Sequence, residues 1–527
     1  MIKTDLVLPY GYNHDTVKKA ISSHLPIDKG EIGEVRIIRR ELVVKDGQSS
    51  SYKATVAFSA GSDKEEGLLK IRNKVKIADE DLFYPKRSNF EKRPVVVGAG
   101  PSGLFAALTL AESGARPIVI ERGLEVEERA KRIELFGTLG ILDTECNVQF
   151  GEGGAGTYSD GKLKYGAKDK YKRKVLEEFI EGGADESIAY STSAHLGTDK
   201  LPGIVKKLRN KIISFGGDFI FSAKLTDLTL KDGEITAISY EKDGDSVTLE
   251  CDTLILATGH SARDTIAMLK EKGLVMKAKG FGIGMRIEHP REYINRIVYR
   301  DSADVIKETA SYHLVTHLDS GRSVYSFCMC PGGQVVAATS EEGAIVTNGM
   351  SEYARKADNS NAAILVSVTP EDFGSYDPLA GIELQRKIER AAYAISGSYK
   401  APSIRLGDLL SKETSSSDGS VKPSFPLGTI PSSPYDYLPE YIPSSIKAAM
   451  PDFDAWLPGY LYPDAILTGP ETRTTSPVRI EREADGCASG FVGIYPTGEG
   501  AGYAGGIVSS AVDGIKMAEL AIEKHLI

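Results

Sequence analysis

The stretch that most constrains this chain is Pro94–Arg122, PVVVGAGPSGLFAALTLAESGARPIVIER. It reads as strand, glycine turn, helix and strand. Val95–Val97 form a short buried β run, and Gly98, Gly100 and Gly103 supply a G-x-G-x-x-G turn that continues through Pro101 and Ser102. Gly98 permits the tight turn, Gly100 lets backbone approach a pyrophosphate, and Gly103 lets helix and strand pack closely. A helix from Ser102 to about Ser113 points its first N–H groups at that pyrophosphate, and Gly114 stops it. Ile118–Ile120 make the next strand. Glu121 follows about 20 residues past the turn, where an acid accepts ribose hydroxyls. The complete unit predicts a dinucleotide site, and the turn by itself leaves open which dinucleotide.

Composition narrows the partners. Lys and Arg number 64 against 73 Asp and Glu, a net charge of −9, which disfavours general nucleic-acid binding. At 527 residues the chain should hold about three structural units. No apolar run reaches membrane-spanning length, and the start lacks a signal-peptide core. Cys146, Cys251, Cys328, Cys330 and Cys487 are an odd, scattered set, which predicts reduced thiols in a cytoplasm and no metal site.

Residues 1–84 read as a small α+β module, with strands at Glu34–Ile38, Glu41–Val44 and Tyr52–Phe58, a helix at Thr16–Ser23, and a packing or interaction role in place of chemistry. Residues 85–93, PKRSNFEKR, read as a polar linker. After Glu121 a charged helix carries Arg129. Arg122 and Arg129 could approach the diphosphate or ribose, and Arg129 could equally lie on a solvated face. Asn147–Lys164 is too rich in glycine for a regular element. Its Gly153, Gly154, Gly156, Ser159 and Asp160 are expected to touch a ligand, and P-loop spacing is missing. A helix at Lys200–Ser214, a strand at Phe219–Leu225 and further strands at Ile235–Tyr240 and Val247–Cys251 lead to Thr253–Ala257. That last strand ends in Thr258-Gly259, where the chain would cross over the dinucleotide, with His260 at the surface of the crossing. The block 271–485 shows no second nucleotide pattern and reads as a substrate domain, with loop or lid at Ser411–Asp436. Phe491–Tyr495, a glycine loop over 496–506 and a helix Ile507–Leu526 close the first site.

Three separated motifs thus agree, and the chain resembles the FAD-dependent oxidoreductases with a glutathione-reductase-like or fumarate-reductase-like FAD domain. More narrowly it is similar to a bacterial group of FAD-dependent (NAD(FAD)-utilizing) dehydrogenases, through QFGEGGAGTYSDGKL at 149–163, FCMCPGG at 327–333, VTNGMS at 346–351, ETRTTSPVRI at 471–480 and GEGAGYAGGI at 498–507. The resemblance implies an α/β fold: a Rossmann-like FAD-binding domain (94–270, closed by 486–527), an inserted β-rich α+β substrate domain (271–485) and the small N-terminal α+β module. It implies FAD, with Glu121 on the adenosine ribose, backbone near Leu225 at adenine, and Gly498 and Glu499 at the ribityl or diphosphate region. Gly505, Gly506 and Ile507 would sit under the flavin, where a helix N-terminus stabilises negative charge on the reduced ring.

For chemistry beyond the cofactor, candidates are Arg473 with Arg479 as an anion clamp, Arg286 and His289 beside Glu288, and Cys328 with Cys330. An internal Arg286–Glu288 pair and buried, inert cysteines are the plainer readings. The leading expectation is hydride transfer between FAD and a small or lipid-like substrate, with NAD(P)H as a transient donor or a protein as electron donor. A flavoprotein of RNA modification and a flavin-bound sensor or scaffold are the alternatives.

Overall fold

The computed structural model describes residues 1–44, 50–71, 74–78, 83–163, 170–411 and 419–526. Its nucleotide-binding unit is built on a five-stranded parallel sheet in the order Ile494–Pro496, Leu254–Leu256, Val95–Val97, Ile118–Ile120, Asp218–Ile220. Each strand is only three residues long, and the central ones are buried on both faces. They therefore read as unbroken apolar runs. The helices Pro101–Ser113 and Ile507–Glu523 pack together over this sheet, and their Leu104, Leu108, Val508, Ala511 and Ile515 share one core. The predicted Phe219–Leu225 strand is in fact two. Ser222 takes a left-handed φ of 53° and breaks it, so Asp218–Ile220 ends the parallel sheet and Ala223–Lys231 opens an antiparallel meander with Glu234–Lys242 and Asp245–Glu250.

Met276–Ala278 and Val478–Ile480 pair antiparallel where the inserted unit leaves and returns. Between them lies a seven-stranded sheet in the order Val315–His317, Ser323–Cys330, Asn359–Val368, Phe281–Pro290, Ile466–Glu471, Ala401–Arg405, Thr429–Pro431. Its central strands are buried along almost their whole length. A helix over Tyr441–Trp456, absent from the sequence reading, packs against it. The Ser411–Asp436 stretch contains the strand Thr429–Pro431, and its residues 412–418 lie outside the described residues, as does Lys164 of the glycine-rich loop.

The N-terminal module is a four-stranded sheet, Val35–Val43, Ser51–Phe58, Ile2–Pro9, Lys76–Ile77, with the helix His14–His24 on one face. The Ile2–Pro9 strand was not anticipated, although Ile2, Thr4, Leu6 and Leu8 alternate into the core as a half-buried strand requires. The two strands expected at 34–38 and 41–44 are one continuous strand. The module is docked: Arg40 exchanges backbone hydrogen bonds with Tyr190 and Thr192, and the Tyr10 and Tyr52 hydroxyls donate to Glu308. Residues 85–93 are also tied down. Asn89 N–H donates to the His525 carbonyl, and Phe90 stacks on the His525 ring at 4.1 Å.

Candidate functional site

A single cavity of about 610 Å³ runs from the end of the parallel sheet to the seven-stranded sheet. At the first end, Gly98 has φ 101°, and a Cβ there would stand 2.3 Å from the Ala257 carbonyl oxygen. At Gly103 a Cβ would meet the Gly98 carbonyl at 1.8 Å. Only glycine lets the Pro101–Ser113 helix start this close to the sheet. Gly98, Gly100, Pro101 and Ser102 line the cavity, while Gly103 lies behind it as the packing position. The helix opens at Gly100 with no side-chain cap, so its first N–H groups are left to the cavity. The closing helix repeats this: Gly505, Gly506 and Ile507 line the wall, and Gly506 caps without a side-chain acceptor.

Glu121 also lines this end. Its Oε1 accepts from the Gly123 and Gly151 N–H groups at 3.0 and 2.9 Å, and its Oε2 accepts only from Ala99 N–H at 2.8 Å. Oε2 therefore keeps a lone pair for a hydroxyl. Leu225, Thr258 and Gly259 stand in the same wall.

The two arginines fare differently. Arg122 lines the cavity, but its donors go to Glu145 and Asp264 and its guanidinium lies 4.0 Å over the Phe150 ring. Arg129 does not reach the cavity. It is wholly buried and donates to the carbonyls of Asn147, Val148, Gly151, Glu152 and Gly154. It is neither a ligand contact nor a solvated side chain; it braces the glycine loop from behind, because glycines give a loop no side chains of its own to hold it. The braced loop presents Gly154, Gly156, Ser159 and Asp160 to the cavity, with Gly153 turned away. Asp160 pairs with Arg355. Gly498 lies behind the wall with its N–H on Asp513, whereas Glu499 faces the cavity.

At the far end the cavity is lined by His260, Tyr312, His313, Cys328, Glu471, Arg473 and Thr474. Here the expected clamp is absent. Arg473 is tied to Glu389 through Nε and Nη2 at 3.1 and 2.9 Å and also to Ser340, and Arg479 is exposed beside the Tyr503 ring. Glu389 is shared with Arg263, whose bonds to it are 2.9 and 2.7 Å. Arg286 does not pair with Glu288. It forms a bidentate pair with Glu471, both bonds 2.7 Å, because the Ile466–Glu471 strand lies directly beside its own. Glu288 instead accepts from Ser424 and Asn359, and His289 is fully buried against the Tyr460 carbonyl. Arg286, His289 and Cys330 lie beneath the cavity wall.

His260 was expected at the surface and instead faces the cavity. Burial, followed by the nearby positive charges of Arg473 and Arg263, holds its pKa down at about 3. Burial pushes the Glu499 carboxyl up to about 7, with Lys279 pulling the other way. The neighbouring Cys330 thiol, with the positive charges of Arg286 and Lys162, holds the Cys328 thiol below its ordinary range against the opposing effect of burial. Tyr312 and His313 carry no functional motif; a strand is expected at Tyr312–Thr316, whereas the strand begins at Val315 and leaves both residues in the loop before it.

This geometry defines a Rossmann-type nucleotide-binding protein whose cavity continues from the nucleotide end to the seven-stranded sheet. Residues 92–294 match the FAD binding domain family, and residues 280–474 match the family described as FAD-dependent protein, C-terminal domain-like. An uncharacterized protein of Clostridium beijerinckii is 44% identical over 523 residues, covering 97% of this chain and 96% of that protein. The chain belongs to this family of FAD-dependent flavoproteins. The thiamine thiazole synthase of Thermococcus kodakarensis is 25% identical over 228 residues, 40% of this chain and 78% of that protein. The structure of an E. coli quinol fumarate reductase FrdA variant overlaps 82% of this chain and 70% of that chain at 13% identity, with a TM-score of 0.35.

The residues present fit FAD. Two uncapped helix N-termini face the cavity for its phosphates and ring carbonyls, and Gly98 and Gly100 bring backbone without side chains into its wall. A carboxylate oxygen with a spare lone pair stands at the ribose end. Among the described residues no group of His, Cys, Asp and Glu could hold a metal ion, and no helix is long and apolar enough to cross a membrane.

Proposed function

We propose that the protein is an FAD-dependent oxidoreductase that moves a hydride between FAD and a small substrate bound against the seven-stranded sheet. The observation that carries this reading is the continuity of the cavity from Glu121 to Cys328 and Arg473. A nucleotide fills the first part, and the remainder opens on ordered polar side chains. When bound, FAD supplies the two-electron chemistry. The chain's own residues hold and orient. The helix starting at Ile507 offers N–H dipoles to a developing negative charge. Neutral His260 can accept or donate a hydrogen bond without adding charge. Glu499 near its midpoint at neutral pH can hold or release a proton at its carboxyl oxygen. Arg473, fixed by Glu389, contributes positive potential and not a free fork for a carboxylate.

NADH or NADPH is the proposed donor, binding transiently at the open end. The test is an anaerobic visible spectrum of the purified protein during nicotinamide addition. One FAD per chain, bleached by one of the two nicotinamides, is the expected result. Purified folded protein that takes up no FAD would overturn the reading, and bound FAD left oxidised by both would remove the nicotinamide donor.

A further inference from the structure

The Ser323–Cys330 strand does not run straight past the cavity. Its pairing with Asn359–Val368 is regular to Phe327, opposite Ala363, and resumes at Cys330, opposite Asn361. Three steps on one strand match two on the other, so one extra residue is accommodated as a bulge. Such bulges re-aim side chains. Cys328 sits in it with φ 40°, a left-handed conformation that a residue with a Cβ adopts at a cost. Two consequences follow. The Cys328 side chain stands in the cavity wall, half-buried. The Cys330 thiol folds back toward it, donating to the Cys328 carbonyl at 3.2 Å. Arg286 fixes the arrangement from below, with Nη1 on the Cys328 carbonyl at 2.9 Å and 3.8 Å from the Cys330 sulfur.

The other cysteines show what burial alone does. Cys146 and Cys251 are buried, and burial drives both thiols up, Cys251 to about 12. Cys328 moves the opposite way, downward, because of its partner thiol and the flanking cations. Two thiols two residues apart at one bulge, one facing a cavity and the other held on its backbone carbonyl, have the arrangement of an attacking and a resolving thiol.

We propose that Cys328 and Cys330 are a redox-active dithiol that exchanges with small thiols and disulfides entering the cavity. In the oxidising direction, the Cys328 thiolate attacks one sulfur of a small disulfide. The S–S bond breaks, and the first thiolate leaves and takes up a proton. Cys330 then loses its proton and attacks the Cys328 sulfur of the mixed disulfide, forming the Cys328–Cys330 bond and releasing the second thiol. Two S–H bonds are lost on the protein and two are gained by the small molecule. The inference rests on the oxidoreductase reading for its purpose, since the couple faces the same cavity, but its chemistry is measured without the flavin reaction.

The test exposes the FAD-loaded protein anaerobically at pH 7 to bis(2-hydroxyethyl) disulfide, followed by alkylation and peptide mass mapping. FAD content is read separately from the released flavin. Loss of two hydrogens from the peptide holding both cysteines, reversed by dithiothreitol, is expected. Cys330→Ala should stop at a mercaptoethanol adduct on Cys328 and slow its alkylation at pH 7 roughly tenfold, since the thiolate fraction falls as the pKa returns toward the ordinary range. Cys487→Ser should behave as the parent. A Cys328 that stays freely alkylatable after disulfide exposure, in protein that still carries FAD, overturns the dithiol. Protein without FAD that still forms the bond upholds the dithiol and sinks the flavin reading instead.

Discussion

The two ends of the cavity are built by different means. The nucleotide end is made of backbone: two helix N-termini, glycine turns and one carboxylate held by three N–H groups. The sheet end is made of side chains locked to one another, with Glu389 between Arg263 and Arg473 and Arg286 on Glu471. Backbone sites tolerate no added atoms. Side-chain sites tolerate no missing partner, since a buried charge left alone is costly. The lesson is that the same cavity fails by overcrowding at one end and by loss of neutralisation at the other.

The strongest way to break that contrast is Gly98→Val. The new side chain would collide with the Ala257 carbonyl, and FAD content measured after purification should fall to near zero. A variant that keeps full FAD would show the backbone end to be adaptable. Next is Glu389→Gln, which leaves two buried arginines short of their shared anion. Its expected cost is about 3–5 kcal/mol in denaturant unfolding, with FAD still bound in the folded fraction. A cost near zero would mean that the cluster is solvated in practice.

Glu121→Gln sharpens the comparison from the other side, because it alters the carboxylate that backbone N–H groups hold at the nucleotide end. An amide nitrogen would face N–H donors where an oxygen now accepts. FAD affinity by fluorescence titration should weaken about tenfold, or about 1.4 kcal/mol. Unchanged affinity would place the ribose contact elsewhere.

The smallest effect is the pH response of His260. Its pKa is depressed in the folded protein to about 3 from an unfolded value near 6.5. The neutral ring thus contributes stability that is fully present above about pH 6.5 and is lost as pH falls toward 3. His260→Asn should reduce the drop in melting temperature between pH 7 and pH 5. Equal drops in the two proteins would show that the ring stays solvated.

The nucleotide end was legible because its parts are local. Glycine spacing, the apolar triplets and Glu121 all fall within Pro94–Arg122, where steric limits on backbone act between neighbours. The sheet end was not, because its partners lie far apart in the chain. Arg286 was matched to Glu288, two residues away on its own strand, whereas sheet order placed it on Glu471. The Arg473 clamp failed for the same reason, its anion being Glu389 on a distant helix. Arg129 shows the limit within a motif region: a charged helix signalled its existence, and nothing in the spacing signalled that five carbonyls would consume it.

The sequence by itself thus determined the α/β nucleotide fold and the position of its turn, because a turn without room for a Cβ admits only glycine at Gly98 and Gly103. Only the tertiary structure decided which charges neutralise one another, that His260 faces inward, and that a one-residue bulge turns Cys328 to the cavity with Cys330 behind it. Those outcomes depend on strand register and sheet order, and a register is fixed by the summed burial of many side chains rather than by any one of them.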